Sequence, residues 1–334
     1  MTDELQTLFH DAVADVEPEL GLAEIQARTS ASSSRRWLPA LAAAAVLAAA
    51  AAGGGFWLAQ EGTTNTPVAT HGSHHPTSTG LGTPSSRSSD DGSSYPLTVP
   101  VYYLGSTPAG PRLFREFYRV DSMDPVGMTE AARLAVTGDA SDPDYTSLWP
   151  AGTRIGSVSK GAGSDLLEVR FAGTAPVSRP AGMTPRQAWM SLQQLAYTVE
   201  GTAQESTPLV FFAGHQQLHR VLGVRIPSVL ARGTATDTLA PMSITDPAEG
   251  ATVGRTFTVH GQAATFEANV QWELLRHGKA VRSGHTTAAE CCTLSPYSFT
   301  VHAARGSYTL VVHGEDASGM NRPVPRDSKE ITVR

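Results

Sequence analysis

Apolar and polar positions follow several different rhythms along this chain. Residues 37–59 (WLPALAAAAVLAAAAAGGGFWLA) contain no charged side chain. Such a run exceeds the roughly 20 residues that a helix needs to cross a bilayer core. Trp37 and Trp57 bracket it as interfacial anchors, and Pro39 falls where a missing N–H costs little. Ahead of it, Leu5, Leu8, Phe9, Ala12, Val13 and Val16 recur at helical spacing until Pro18. That segment reads as a short solvated helix or as a docking stripe for a cytosolic partner. Behind it, residues 60–95 are a Ser/Thr/Gly/Pro tract too poor in apolar positions to form a core. As a flexible coil the tract would span roughly 30–36 Å, enough for a stalk.

Residues 96–230 mix two periods. Strands are expected at 99–104, 113–120 and 209–213, with a hairpin of 153–159 and 165–171 around Gly161–Gly163. Helices are expected over 124–136, stopped by Gly138, and over 184–199. In the second helix Thr184 is the cap, Pro185 fits the first turn, and Trp189, Leu192, Leu195 and Ala196 form an apolar face. The order predicts an α+β module whose helices cover one face of a small sheet. Residues 231–241 read as a joint. Residues 242–334 then alternate with period two through roughly seven short strands and no helix signal, which predicts an all-β immunoglobulin-like sandwich. His277 and Gly278 form a hairpin turn in it. The expected core comprises Val101, Leu134, Leu166, Trp189, Leu195, Phe211, Phe257, Trp272 and Tyr308.

Charge sets orientation and excludes classes. Arg28, Arg35 and Arg36 precede the apolar run, and no Lys or Arg follows it until Arg87. The positive-inside bias therefore predicts a single-pass protein with residues 1–36 cytoplasmic and the C-terminal modules extracytoplasmic. A cleavable signal peptide would need an n-region of unusual length, and no Cys lies near the run to make a lipoprotein. The net charge of −6 argues against a nucleic-acid partner, because phosphates call for a basic face.

Candidate chemistry is sparse. No GxSxG, HExxH or P-loop pattern occurs. Gly161–Gly163 lacks the following Lys and helix of a phosphate cradle, so it reads as a hairpin turn. His71, His74 and His75 sit in the polar tract as solvated residues or a metal clip. His215 and His219 are four apart, yet flank a strand end rather than share a helix, so exposed turn histidines are expected. If Phe266 faces the sandwich core, Glu267 faces solvent or an arginine, or serves a ligand together with Asn269. Glu315, Asp316 and Ser318 read as a surface turn with too few oxygens for a cation site. Cys291 and Cys292 are adjacent, and bonded, free and intermolecularly bridged states all fit the sequence. No catalytic, cofactor-binding or metal residue is assigned.

Seven blocks in order, VPVYYLG, RLFREFYRV, TEAARLAVTG, WPAGTRIGSVS, LLEVRFAG, TPRQAWMSLQQLAYTVE and PLVFFAGHQQLHRVLG, resemble the sporulation and spore-germination domain called GerMN. The segment TDPAEGATVGRTFTVHGQAATFEANVQWELL, with PYSFTV and GSYTLVVHGEDASG, resembles the immunoglobulin-like domain of bacterial spore-germination proteins; FEANV (266–270) is its most specific piece. The resemblance implies a GerMN-like module and a sandwich behind one transmembrane helix, exported, without catalytic residues, in a host that need not form endospores. One departure stands out: residues 139–145 add an acidic insertion, expected to be flexible. The expectation is a non-enzymatic cell-envelope protein that associates with envelope proteins or with itself. A binding module for cell-wall glycan or peptide, acting through the sandwich loops, is the alternative.

Overall fold

A computed structural model describes residues 94–316, 319–320 and 322–334. The expected cytoplasmic segment, the apolar run, the tract up to residue 93 with its three histidines, and Ser318 lie outside the described residues. Among the described residues no helix is long and apolar enough to cross a membrane.

Strand β1 (Tyr95–Thr107) pairs antiparallel with β2 (Gly110–Ser122) along their whole lengths. Alternation gives β1 two apolar faces. Val99, Val101 and Tyr103 enter the main core, whereas Leu104 joins Leu113 in a second cluster. Helix α1 (Met128–Thr137) ends at Gly138, whose φ of 86° is the left-handed cap that glycine adopts without strain. It begins four residues later than its periodicity suggests. The Asp124 carboxylate accepts the Val126 N–H and closes a turn there, and left-handed Gly127 precedes the first helical residue.

The chain then crosses β1 as the two-residue strand β3 (Tyr145–Thr146) and forms a hairpin of β4 (Ile155–Lys160) and β5 (Leu167–Phe171). Helix α2 (Pro185–Ala203) starts on a capping box between Thr184 and Gln187. Every residue of α2 from Met190 to Glu200 is buried, so it has no solvated face there. The Thr198 hydroxyl accepts the Tyr102 N–H, a β1 amide that no strand partners. Strand β6 (Leu209–Ala213) lies parallel to β5 and pairs with β7 (Gln216–Leu218), and β8 (Arg220–Val221) pairs with β9 (Val224–Arg225).

The module thus holds two main sheets, β2-β1-β3 and β4-β5-β6-β7, in place of the single sheet expected. The helices pack in one core with both. Leu166 is a second correction: Leu167 takes the buried position, because a one-residue slip in a strand exchanges its faces. Leu134 and Trp189 are only partly buried.

The joint is pinned to this module. It carries the single turn α3 (Ala235–Thr238), the Tyr197 hydroxyl donates to Gly233 O at 2.8 Å, and Ala240 N–H donates to Leu113 O. The sandwich follows as β10 (Met242–Asp246), β11 (Thr252–Val253), β12 (Thr256–Ala263), β13 (Asn269–Arg276), β14 (Lys279–Thr287), β15 (Ser295–His302), β16 (Gly306–His313) and β17 (Arg326–Val333). Its sheets are β10-β12-β15 and β11-β17-β16-β13-β14. His277 and Gly278 both have positive φ in the β13–β14 turn, as a two-residue hairpin requires. Trp272 is half-buried rather than central. It stacks on Phe299 at 5.0 Å, opposite Gly284, where a Cβ would overlap the indole.

Gly105 has a similar task in the first module. A Cβ there would lie 2.6 Å from the Phe114 ring, and Phe114 stacks on Tyr145 at 4.6 Å. Gly105→Ala is expected to cost about 1–3 kcal/mol through overpacking, read as a lower urea midpoint.

Candidate interaction surfaces at the module junction

The acidic insertion is an ordered strap. The Glu116 carboxylate accepts the Ser141 N–H at 2.9 Å and the Asp142 N–H at 2.8 Å, and the Tyr118 hydroxyl donates to the same carboxylate. Asp142 is 2% exposed and Tyr145 7%, which corrects the expectation of a flexible loop. What buries them is the last strand of the sandwich. Along β17, Asp327, Lys329, Ile331 and Val333 share one face, and the first two continue it beyond the apolar core. Lys329, 3% exposed, forms an ion pair with Asp142 and donates to the Tyr145 hydroxyl at 2.8 Å. That hydroxyl donates to Asp327 Oδ1 at 2.6 Å, while Ile244 N–H donates to Asp327 Oδ2 at 2.6 Å. Burial pushes the Asp327 carboxyl up from the ordinary aspartate value, opposed by Lys329 and by the hydrogen bonds it accepts. Two carboxylates, one ammonium and a phenol therefore hold the two modules in a fixed relation.

Beside this junction lies an open groove of about 300 Å³. His260 and Gln262, which alternate with buried Val259, Gly261 and Ala263 on β12, form one wall together with Ser298 of β15. Thr245 and Thr287 contribute from β10 and β14, and Arg115 contributes from β2 of the first module. The Arg115 guanidinium lies 5.0 Å over the exposed Phe117 ring, and among the described residues no carboxylate forms an ion pair with it.

The far loops carry the other sequence candidates. Phe266 is 65% exposed, contrary to the core role considered for it. Glu267 and Ala268 take φ of 55° and 57°, so the strand alternation does not run through FEANV and Ala268 is the buried residue. Glu267 is exposed, and Asn269 Nδ2 donates to Glu315 at 2.8 Å. Asp316 accepts the Arg322 N–H. Cys291 and Cys292 are bonded to each other, and Cys292 N–H donates to Thr265 O. His215 and His219 are exposed on either side of β7.

One further titratable group is buried in the first module. Glu200, near the C-terminal end of α2, has Arg232 Nε at 3.5 Å, and burial pushes its carboxyl up to about 7, with Arg232 opposing. The negative end of a helix adds no favourable term for a carboxylate.

These features define a two-module, β-rich protein with a polar seam. Residues 242–321 match the family model described as the immunoglobulin-like domain of bacterial spore germination, Gmad2. No curated protein matches the chain. Among solved structures, the tandem GerMN domains of the sporulation protein GerM from Bacillus subtilis are similar at 12% identity, over 46% of this chain and 50% of that one, with a TM-score of 0.31. The chain spans half the length of that structure. A Jonesia denitrificans lytic polysaccharide monooxygenase is similar at 10% identity, over 26% of this chain and 60% of that one, with a TM-score of 0.21.

Two outcomes follow from the buried charges. Lys329→Met leaves Asp142 and Asp327 buried without their cation and is expected to cost about 3–5 kcal/mol in urea unfolding. For Glu200, a folded-state value of about 7 against an ordinary 4.5 makes its contribution full below pH 4.5 and lost as pH rises through 7. Glu200→Gln should therefore flatten the fall in melting temperature between pH 5 and pH 8, a difference on the order of 2 kcal/mol.

Proposed function

We propose that the chain is a non-enzymatic, single-pass protein of the bacterial cell envelope, of the sporulation and spore-germination type, acting through protein–protein association. The observation that carries this reading is the germination-type immunoglobulin-like domain at residues 242–321, locked by buried charges to a second compact module. The seven GerMN-like blocks support a GerMN-like identity for that module. The uncharged run 37–59, with arginines only on its N-terminal side, supports an anchor with residues 1–36 cytoplasmic and the two modules outside. A polar tract between anchor and modules suits a spacer. Partners are envelope proteins or further copies of the chain, presented with two modules in one orientation. Catalysis has no part in this reading, since association needs surfaces rather than a nucleophile.

The test is protease treatment of cells carrying a C-terminally tagged full-length chain. Digestion of the tag on intact cells, and release of the protein from membranes on deleting residues 37–59, are expected. A tag shielded in intact cells and cut only after lysis would overturn the topology. In-cell crosslinking should then capture envelope proteins or the chain itself.

A further inference from the structure

The seam groove sets Arg115, which no carboxylate among the described residues pairs with, beside several neutral hydrogen-bonding side chains. A guanidinium recognises carboxylate and phosphate groups through paired N–H donors, and that charge-assisted pairing is lost if the anion is neutralised. Around Arg115, the Gln262 amide and the Thr245, Thr287 and Ser298 hydroxyls present short donors and acceptors from four strands. Ala289, Pro296 and Tyr297 supply the apolar part of the lining. The wall strand β12 is paired on both edges, with β10 and with β15, so its main chain has no free ladder for an extended peptide. What remains to be read is an array of side chains on a sheet face, which suits a ligand rich in hydroxyls and carrying one acidic group.

We propose that this groove is a binding site for an anionic saccharide: Arg115 takes its acidic group, and Gln262, Thr287 and Ser298 take ring hydroxyls. The site exists only while the junction holds both modules in register, because Arg115 comes from the first and the remaining lining from the second. It is partly open to solvent. The net charge of −6 gives polyanions no general attraction to the chain, so retention of one requires a local site. The proposal stands on the groove alone. A cytoplasmic location for the modules would overturn the proposed topology and leave the site intact.

The experiment measures retention of the full-length protein on immobilised polygalacturonate, on the same polymer fully methyl-esterified, and on phosphomannan. Binding to polygalacturonate alone assigns the acidic group as carboxylate, and binding to phosphomannan alone assigns it as phosphate. In either case Arg115→Ala should weaken binding about tenfold, as expected for loss of a charge-assisted pair. Gln262→Leu should weaken it several-fold, and Arg305→Ala, an equal change of charge in the β15–β16 turn, should stay within twofold. Melting curves check that each variant folds. Equal retention on the esterified polymer, no retention on either anionic polymer, or equal losses for Arg115→Ala and Arg305→Ala would each overturn the proposal.

Discussion

The described structure depends on one buried ammonium. Lys329 is enclosed between the two modules, 187 positions from Asp142, and it is tolerable there only because Asp142 and the Tyr145 hydroxyl meet it. Removing a charge from water costs several kcal/mol, so the pairing adds little net stability over an apolar joint. What it supplies is uniqueness. An apolar interface can slide, whereas a lysine fixed on Asp142 and the Tyr145 hydroxyl cannot. The Tyr145–Asp327–Ile244 chain of hydrogen bonds extends the same constraint to the first strand of the sandwich.

Around that constraint the first module is assembled from the inside. Helix α2 has no wet face over its central turns, and two of its buried polar residues, Gln193 and Gln194, bond to the backbone of neighbouring elements. Gln194 donates to Ala135 O, and the side-chain oxygen of Gln193 accepts the Gly233 N–H. These bonds tie α1, α2 and the joint together, so the surface offered to the sandwich does not drift. The seam and its groove are a consequence of that rigidity.

Local signals were legible where local chemistry decides the outcome. Thr184 and Pro185 mark the start of α2, Gly138 the end of α1, and His277-Gly278 the β13–β14 turn, because caps and positive-φ turns are encoded within a few residues. The Leu166–Leu167 doublet was ambiguous because two adjacent apolar residues fit either strand register. Phe266 read as a core residue because nothing in its neighbours announces the left-handed backbone at Glu267 and Ala268. The strap at 139–145 was read as flexible because acidic clusters are ordinarily solvated, and its cation lies 187 positions away. A signal did exist: Asp327 and Lys329 alternate in phase with Ile331 and Val333, and charges on the apolar face of a strand need partners from elsewhere. The groove, drawn from both modules, had no contiguous trace to read.

The cation that unites the modules sits on the last strand. During synthesis the strap and its aspartate emerge long before Lys329 does, and β17 also lies between β11 and β16 in the five-stranded sheet. The first module therefore keeps an unneutralised acidic seat until β17 is in place. Loss of β17 would remove the strand between β11 and β16 and the junction in one stroke, so a single segment both completes the sheet and stiffens the pair of modules.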